Sequence, residues 1–199
     1  MAFTNYKNLL LTLNTTQISD TDMCSVMLDK QIRSYGSTSK LIGHAFTVES
    51  NGNYHAVIDA FNKANEDDVL IIDNKNSTFA IAGELFATEA KRKKLAGIII
   101  DGYCRDIEGV YATGIPFFAK GVTPKIANGN AKWKLQKKIT CGGVLVNPKD
   151  IIFADQNGIV VIDPQNIQII LHEAKLILDK ENEIKEQINS GVPLSELIT

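Results

Sequence analysis

The stretch 83-GELFATEAKRKKLAGIIIDGYCRD-106 holds a helix, a strand and a charged end in one run. Gly83 opens it, Glu84 and Glu89 lie toward the start, and Lys91, Arg92, Lys93 and Lys94 lie toward the end of the first segment, the order a helix dipole favours. Gly97 is expected to stop that helix, and Ile98-Ile99-Ile100 to begin a buried strand. The strand then runs into Asp101, Arg105, Asp106 and Glu108. Strand ends are where α/β proteins collect binding groups, because the sheet holds them rigidly while the following loop leaves them open to ligand.

The flanking sequence extends the pattern. Tyr54, Val57, Ile58 and Phe61 recur at helical spacing over 54–64, the apolar run 69-VLIIDN-74 suits a buried strand, and 115-IPFFAKG-121 suits another. The expected order is helix, strand, helix, strand, charged knot, strand. The second half favours strands at 142–146, 151–154 and 159–162, the last two joined by 155-DQNG-158, whose Asn157-Gly158 is a hairpin signal. These read as a β-layer. Asp163 can cap and Pro164 can start a long C-terminal helix, with Ile167, Ile170, Leu171, Ala174, Ile177, Leu178 and Ile184 as its apolar stripe and an end near Gly191. No repeat, low-complexity tract or linker divides residues 1–199, so one α/β domain is expected.

Composition narrows the partners. A formal net charge of −2 offers no electrostatic footprint for nucleic acid or an anionic membrane. No segment approaches the roughly 18 apolar residues of a membrane span, and the N-terminus lacks the pattern of a signal peptide. Cys24, Cys104 and Cys141 are odd in number and outside any CxxC, which points to reduced thiols and a cytoplasmic protein. His44, His55 and His172 share no metal-binding spacing.

Two features carry chemistry. Backbone N–H groups at the mouth of the helix after Gly83 lack intrahelical partners and sit at the positive end of the dipole, which suits a carboxylate or phosphate. Arg105 has the planar fork that grips a carboxylate, and Asp106 offers a hard oxygen ligand for Mg²⁺ or Mn²⁺. Taken alone, each has a plainer reading: Gly83 as a tight turn, and Arg105-Asp106 as a surface pair worth under about 1 kcal/mol. Plain readings also serve for Lys91 to Lys94 as a solvated helix end, His172 as a packing or surface residue, Cys104 as a small packing residue, and Asp155 with Asn157 as a turn.

The combination resembles the signature of the regulator of ribonuclease activity A family, which includes class II 4-hydroxy-4-methyl-2-oxoglutarate aldolases. The pattern is a Gly with an acidic neighbour, a helix, an apolar strand ending in Asp-Gly, and Arg-Asp at a fixed distance; it continues through 115-IPFFAKGVTPK-125, 141-CGGVLVNPKDIIFADQNGIVVID-163 and Lys180-Glu181. The resemblance implies a single-domain α/β/β sandwich related to swivelling phosphohistidine domains, assembled as a homotrimer or a dimer of trimers. It implies a metal-dependent lyase that cleaves 4-hydroxy-2-oxo acids, decarboxylates oxaloacetate, or both, through a pyruvate enolate. The backbone of Gly83, Glu84, Leu85 and Phe86 would receive the substrate carboxylate, Arg105 would bind the pyruvate moiety, Asp106 would ligate the divalent cation, and Glu84 would reach it through water. Glu181 would do so from an adjacent subunit. Some family members instead inhibit an RNA-degrading endonuclease, so a non-catalytic binding regulator is the alternative. A methyltransferase role attached to some members finds no support, since no glycine-rich cofactor loop follows the first strand. Lys149 departs from the family's usual Gly, and Tyr103-Cys104 replaces a smaller pair beside the proposed site, which bears on the substrate's tail.

Overall fold

In the computed structural model, which describes residues 3–22, 26–36, 40–75 and 77–198, the 83–106 run becomes the hinge between a helical layer and the central sheet. The chain starts with two helices, α1 (Phe3–Thr12) and α2 (Thr15–Ser19), and two short strands, β1 (Val26–Met27) and β2 (Arg33–Ser34). Then follow β3 (Leu41–Glu49), α3 (His55–Lys63), β4 (Asp68–Asp73), β5 (Ala80–Ala82), α4 (Glu84–Arg92), β6 (Gly97–Cys104), α5 (Ile107–Thr113) and β7 (Phe117–Val122). The second half supplies β8 (Lys134–Leu135), β9 (Ile139–Cys141), β10 (Val144–Val146), β11 (Ile151–Asp155), β12 (Gly158–Ile162) and α6 (Ile167–Asn189). The result is one mixed α/β domain with a long C-terminal helix.

The main sheet runs β1-β12-β11-β3-β4-β6-β7-β2, with β5 attached to β6 and β8 to β3. Its centre, β3-β4-β6-β7, is parallel, and β11 joins β3 antiparallel. Central strands are buried on both faces, which is why Val69 to Ile72 and Ile98 to Ile100 are apolar without alternation. Burying each such side chain contributes about 1.5–3 kcal/mol. On one face, Phe46, Leu70, Ile72, Ile98, Ile100 and Phe117 pack with residues of α3, α4 and α5. On the same face, Ile42, Phe153, Val160 and Ile162 meet α1, α2 and α6. The other face, with Ile71, Ile99 and Phe118, is covered by Leu28, Ile32 and the β9–β10 ribbon. The layers are therefore helix, sheet, ribbon.

Several expectations change in detail. The 151–162 hairpin does form, with Asp155 opposite Gly158, but it lies in the main sheet, and only β9–β10 builds the second β-layer. The charged knot contains a helix, α5, because Val110 N–H donates to Asp106 O at 2.9 Å. Gly97 does not stop α4; the chain turns at Lys94, whose φ is +55°, and Gly97 opens β6 instead. Its role is close approach, since a Cβ there would lie 2.5 Å from Leu41 Cδ1 and 2.6 Å from Pro116 O. α6 begins at Ile167 rather than Pro164: Asp163 accepts from Gln165 N–H at 2.8 Å and so closes a preceding turn. Cys24 lies outside the described residues.

Charged residues close the layers. Lys93 Nζ donates to Ala64 O at 2.9 Å and to Phe61 O, capping α3, and Lys91 Nζ donates to Thr113 O at 2.7 Å, capping α5. Two of the four basic residues are therefore helix caps, while Arg92 pairs with Glu89 and Lys94 Nζ lies 3.5 Å from Glu66 Oε1. Lys149 adopts φ +73°, a left-handed conformation that glycine takes without strain, and its Nζ lies 2.9 Å from Asp68 Oδ1, a carboxylate only 3% exposed. None of the helices is long and apolar enough to cross a membrane, among the described residues.

Gly97→Ala should destabilise the fold by about 1–3 kcal/mol, because the new methyl meets a backbone oxygen that cannot rotate away. Urea unfolding followed by circular dichroism will show the midpoint falling at unchanged slope.

Candidate active site

The site begins with two chain crossings held side by side. β5 and the end of β6 run parallel, with Ala80 opposite Tyr103 and Ala82 opposite Cys104, and Arg105 N–H donates to Ala82 O at 3.1 Å. The chain thus leaves β5 at Gly83 beside the point where it leaves β6 at Arg105-Asp106. Gly83 has extended backbone (φ −164°, ψ −151°), so its backbone conformation is open to other residues. Space demands the glycine: a Cβ would meet Asp106 Oδ2 at 2.7 Å and Arg105 Cγ and O at 3.0 Å. Asp106 itself is left-handed (φ 55°, ψ 43°), a conformation costing on the order of 1 kcal/mol that Asp tolerates better than most residues. Arg105 Nε lies 3.2 Å from Asp106 Oδ2, with both side chains partly exposed. That contact orients the guanidinium more than it stabilises the fold.

Gly83 is the N-cap of α4, and its carbonyl accepts from Phe86 N–H at 3.1 Å and Ala87 N–H at 3.0 Å. The N–H groups of Glu84 and Leu85 remain as the helix-mouth donors. Of the four expected carboxylate-binding positions, Gly83 supplies space, Glu84 and Leu85 supply donors, and Phe86 supplies a ring. That ring stands 6.0 Å from the Phe61 ring, centroid to centroid, in the wall of a cavity of about 580 Å³ between α3 and α4. Arg105 lines the same cavity.

On the other side of Arg105, a notch of about 380 Å³ is lined by Glu84, Asp106, Glu108, Ile107 and Gly109. Gly109 lets the Glu84 carboxyl lie against α5, since a Cβ there would be 2.3 Å from Glu84 Cδ. The sequence placed Glu108 in the charged run without giving it a role and missed Gly109, for which the available signal was a glycine inside a segment that turns out to be helical. Asp106, Glu84 and Glu108 are hard oxygen donors. Among the described residues no three His, Cys, Asp or Glu side chains come together as a group that could hold a metal ion. A cation held here would have to be one that, like Mg²⁺, takes only one or two carboxylates and completes its shell with water and substrate oxygens. Glu181 lines neither hollow; its Oε2 accepts from Gln17 Nε2 at 2.8 Å within the chain.

Tyr103 lines neither hollow either, and its ring packs over Gly121, where a Cβ would meet Cε1 at 3.0 Å. Cys104 is buried, and burial pushes its thiol up to about 12, which removes it as a nucleophile at neutral pH. A larger groove of about 630 Å³, lined by parts of α2, β1, β2 and β12, contains none of the candidate residues; the start of α2 and Arg33 line it, but Thr15 N–H is already taken by Asp155 Oδ2 at 2.8 Å.

These features coincide with a family assignment. The RraA-like model, described as Aldolase/RraA, matches residues 15–161, and the chain belongs to that family. A Halalkalibacterium halodurans protein named "Putative 4-hydroxy-4-methyl-2-oxoglutarate aldolase" is 34% identical over 166 residues, covering 82% of this chain and 79% of that protein. An uncharacterized protein from Pseudomonas syringae pv. tomato superposes with a TM-score of 0.85 at 21% identity, covering 98% of this chain and 96% of its own, which shows a shared fold. The RNA-processing inhibitor RraA from a Thermus species superposes with a TM-score of 0.70 at 25% identity, covering 75% of this chain and 92% of its own.

The Cys104 peptide should stay unlabelled by iodoacetamide at pH 8 until urea unfolds the chain, as read by mass spectrometry. The sign of the pH effect follows from the raised thiol: the unfolded chain loses this proton near pH 9, whereas the folded chain keeps it to about 12. Stability should therefore fall as pH rises above about 9, by at most about 1.4 kcal/mol per unit for this thiol. Cys104→Ala should reduce that alkaline loss in thermal melts at pH 8 and 10.

Proposed function

We propose that the chain is a divalent-metal-dependent lyase that forms pyruvate, by cleaving 4-hydroxy-2-oxo acids in the manner of a 4-hydroxy-4-methyl-2-oxoglutarate aldolase, by decarboxylating oxaloacetate, or by both. The observation that carries this reading is the adjacency of Gly83, Arg105 and Asp106, which sets a helix mouth, a guanidinium and a hard carboxylate around one point. In both reactions a carbon–carbon bond next to pyruvate breaks and its electron pair passes into an enolate. The site must favour negative charge on an oxygen that began as a ketone.

Arg105 offers its terminal nitrogens to the pyruvyl group, because Nε is already held by Asp106. The N–H groups of Glu84 and Leu85 receive the 1-carboxylate and fix the acid's orientation. Asp106 would hold the cation and Glu84 would reach it through water, and Mg²⁺ or Mn²⁺ there would supply Lewis-acid polarisation of the keto oxygen. Gly83 keeps these groups within reach, with the Asp106 carboxylate lying close against it. A ring of three subunits, single or stacked in pairs, is the proposed assembly, with Glu181 reaching a neighbour's site.

Purified protein with Mg²⁺ should release pyruvate from oxaloacetate or a 4-hydroxy-2-oxo acid above the rate of free metal, and excess chelator should abolish that release. Asp106→Asn keeps a side chain suited to the left-handed backbone while removing the anionic ligand. It should leave the melting temperature nearly unchanged and lose metal-stimulated turnover. Arg105→Ala should lower kcat/KM by about 10²–10³. Turnover equal to wild type in both variants would refute the assignment.

The likeness to the Thermus RNA-processing inhibitor supports a second reading, a regulator that binds an RNA-degrading endonuclease. A pull-down with such a nuclease, run with wild type and Asp106→Asn, separates the two: capture by both proteins with no pyruvate from either would favour the regulator.

A further inference from the structure

The cavity beside Arg105 points to the kind of substrate. It is walled by Tyr54 at the N-cap of α3, Ile58 and Phe61 within α3, Leu85 and Phe86 from α4, and Ile126. Among the described residues, Arg105 is its one lining cation. Its one lining carboxylate is Glu89, whose oxygens are both held at 2.7 Å by the Nε and terminal nitrogen of Arg92. The remaining polar groups are neutral: the amides of Asn62 and Asn128 and the hydroxyl of Tyr54.

We infer that the substrate is a 4-hydroxy-2-oxo monoacid with an apolar, ring-sized group on C4, seated against Tyr54, Ile58, Phe61 and Phe86. This deepens the lyase reading and rests on it. The single guanidinium is committed to the pyruvyl end, so within this chain's wall a second carboxylate on C4 would find only neutral polar groups and Glu89, an anion already paired with Arg92. An apolar group instead covers aromatic and aliphatic surface that is otherwise wet: Leu85 is 77% exposed and Ile58 41%. The volume of about 580 Å³ lies within the range of ordinary ligand pockets and leaves room for an aromatic ring. The chemistry balances as an aldol cleavage. The C4 hydroxyl loses its proton and becomes a carbonyl, the C3–C4 bond breaks, its electron pair stays on C3 as the pyruvate enolate, and a proton returns to C3. The products are pyruvate and an apolar aldehyde. Oxaloacetate is a separate case, because its second carboxylate is the group that leaves.

The test is pyruvate release by the full chain with Mg²⁺ from a matched pair, 4-hydroxy-2-oxo-4-phenylbutanoate and the dicarboxylate 4-hydroxy-2-oxoglutarate. The phenyl acid should have the higher kcat/KM, by tenfold or more. Ile58→Lys, at a partly exposed wall position, should cut that ratio at least tenfold, mainly through KM, by supplying the missing cation. The wild-type ratio decides the matter even if the variant folds poorly. Equal rates or a preference for the dicarboxylate would overturn the substrate assignment while leaving the lyase reading intact. Release of pyruvate from neither acid, nor from oxaloacetate, would overturn both.

Discussion

The hydrogen bond from Arg105 N–H to Ala82 O, 3.1 Å long, fixes the relation on which the candidate site depends. It ties the exit of β5 to the exit of β6 and so sets α4 and α5 to start next to each other. A parallel sheet gives this arrangement its direction: β3, β4, β6 and β7 all deliver their C-terminal ends to one edge, and α3, α4 and α5 begin after β3, β5 and β6. Binding groups at that edge inherit the rigidity of Ile98, Ile99 and Ile100, which are fully buried beneath it. The glycine at 83 then removes the one side chain that would push Asp106 away.

The interior charges show how the ribbon layer is fastened beneath this edge. Asp101, whose side chain is 2% exposed, points to the face opposite the helices. One of its oxygens accepts from Gly142 N–H at 2.7 Å and the other lies 2.6 Å from Lys120 Nζ, which also approaches Asp29 at 3.4 Å. Burial alone would lower the lysine's affinity for its proton, but the two carboxylates more than offset this and hold it raised. This buried group has partners on β7, in the turn before β10 and near β2, so the strand that carries Arg105 is anchored from below as well as at its sides.

The surface pairs contrast with that network. Arg92 with Glu89 and Lys175 with Asp179 are largely in solvent, where such contacts contribute little to stability. The same holds for Arg105 with Asp106, yet its placement gives it meaning. Both side chains remain partly open, one facing the apolar cavity and the other the acidic notch, so neither is consumed by the fold. A site that binds an anion and a cation together needs both groups available.

By itself the sequence determined the elements with strong local signals: the apolar runs of β4 and β6, the charge order of α4, the Asn157-Gly158 hairpin and most of α6. These follow from periodicity, dipoles and turn chemistry within a few residues. It also supplied Gly83, Arg105 and Asp106 as candidates through their chemistry, and Glu84 with them through the family pattern that the run resembles. Tertiary structure alone decided where the hairpin goes, because the register of Phe153 against Ile42 buries both faces of β11 and draws it into the main sheet. It alone showed Gly97 as a contact point against Leu41 and Pro116, Lys91 and Lys93 as caps on neighbouring helices, and Gly109 as the seat of Glu84. It also placed Tyr103 on Gly121, outside both hollows, and brought α3 across to wall the cavity beside Arg105. Each of these depends on atoms distant in the chain or on a Cβ that is missing, and local sequence physics contains no information about what stands opposite a glycine until the sheet has set its neighbours.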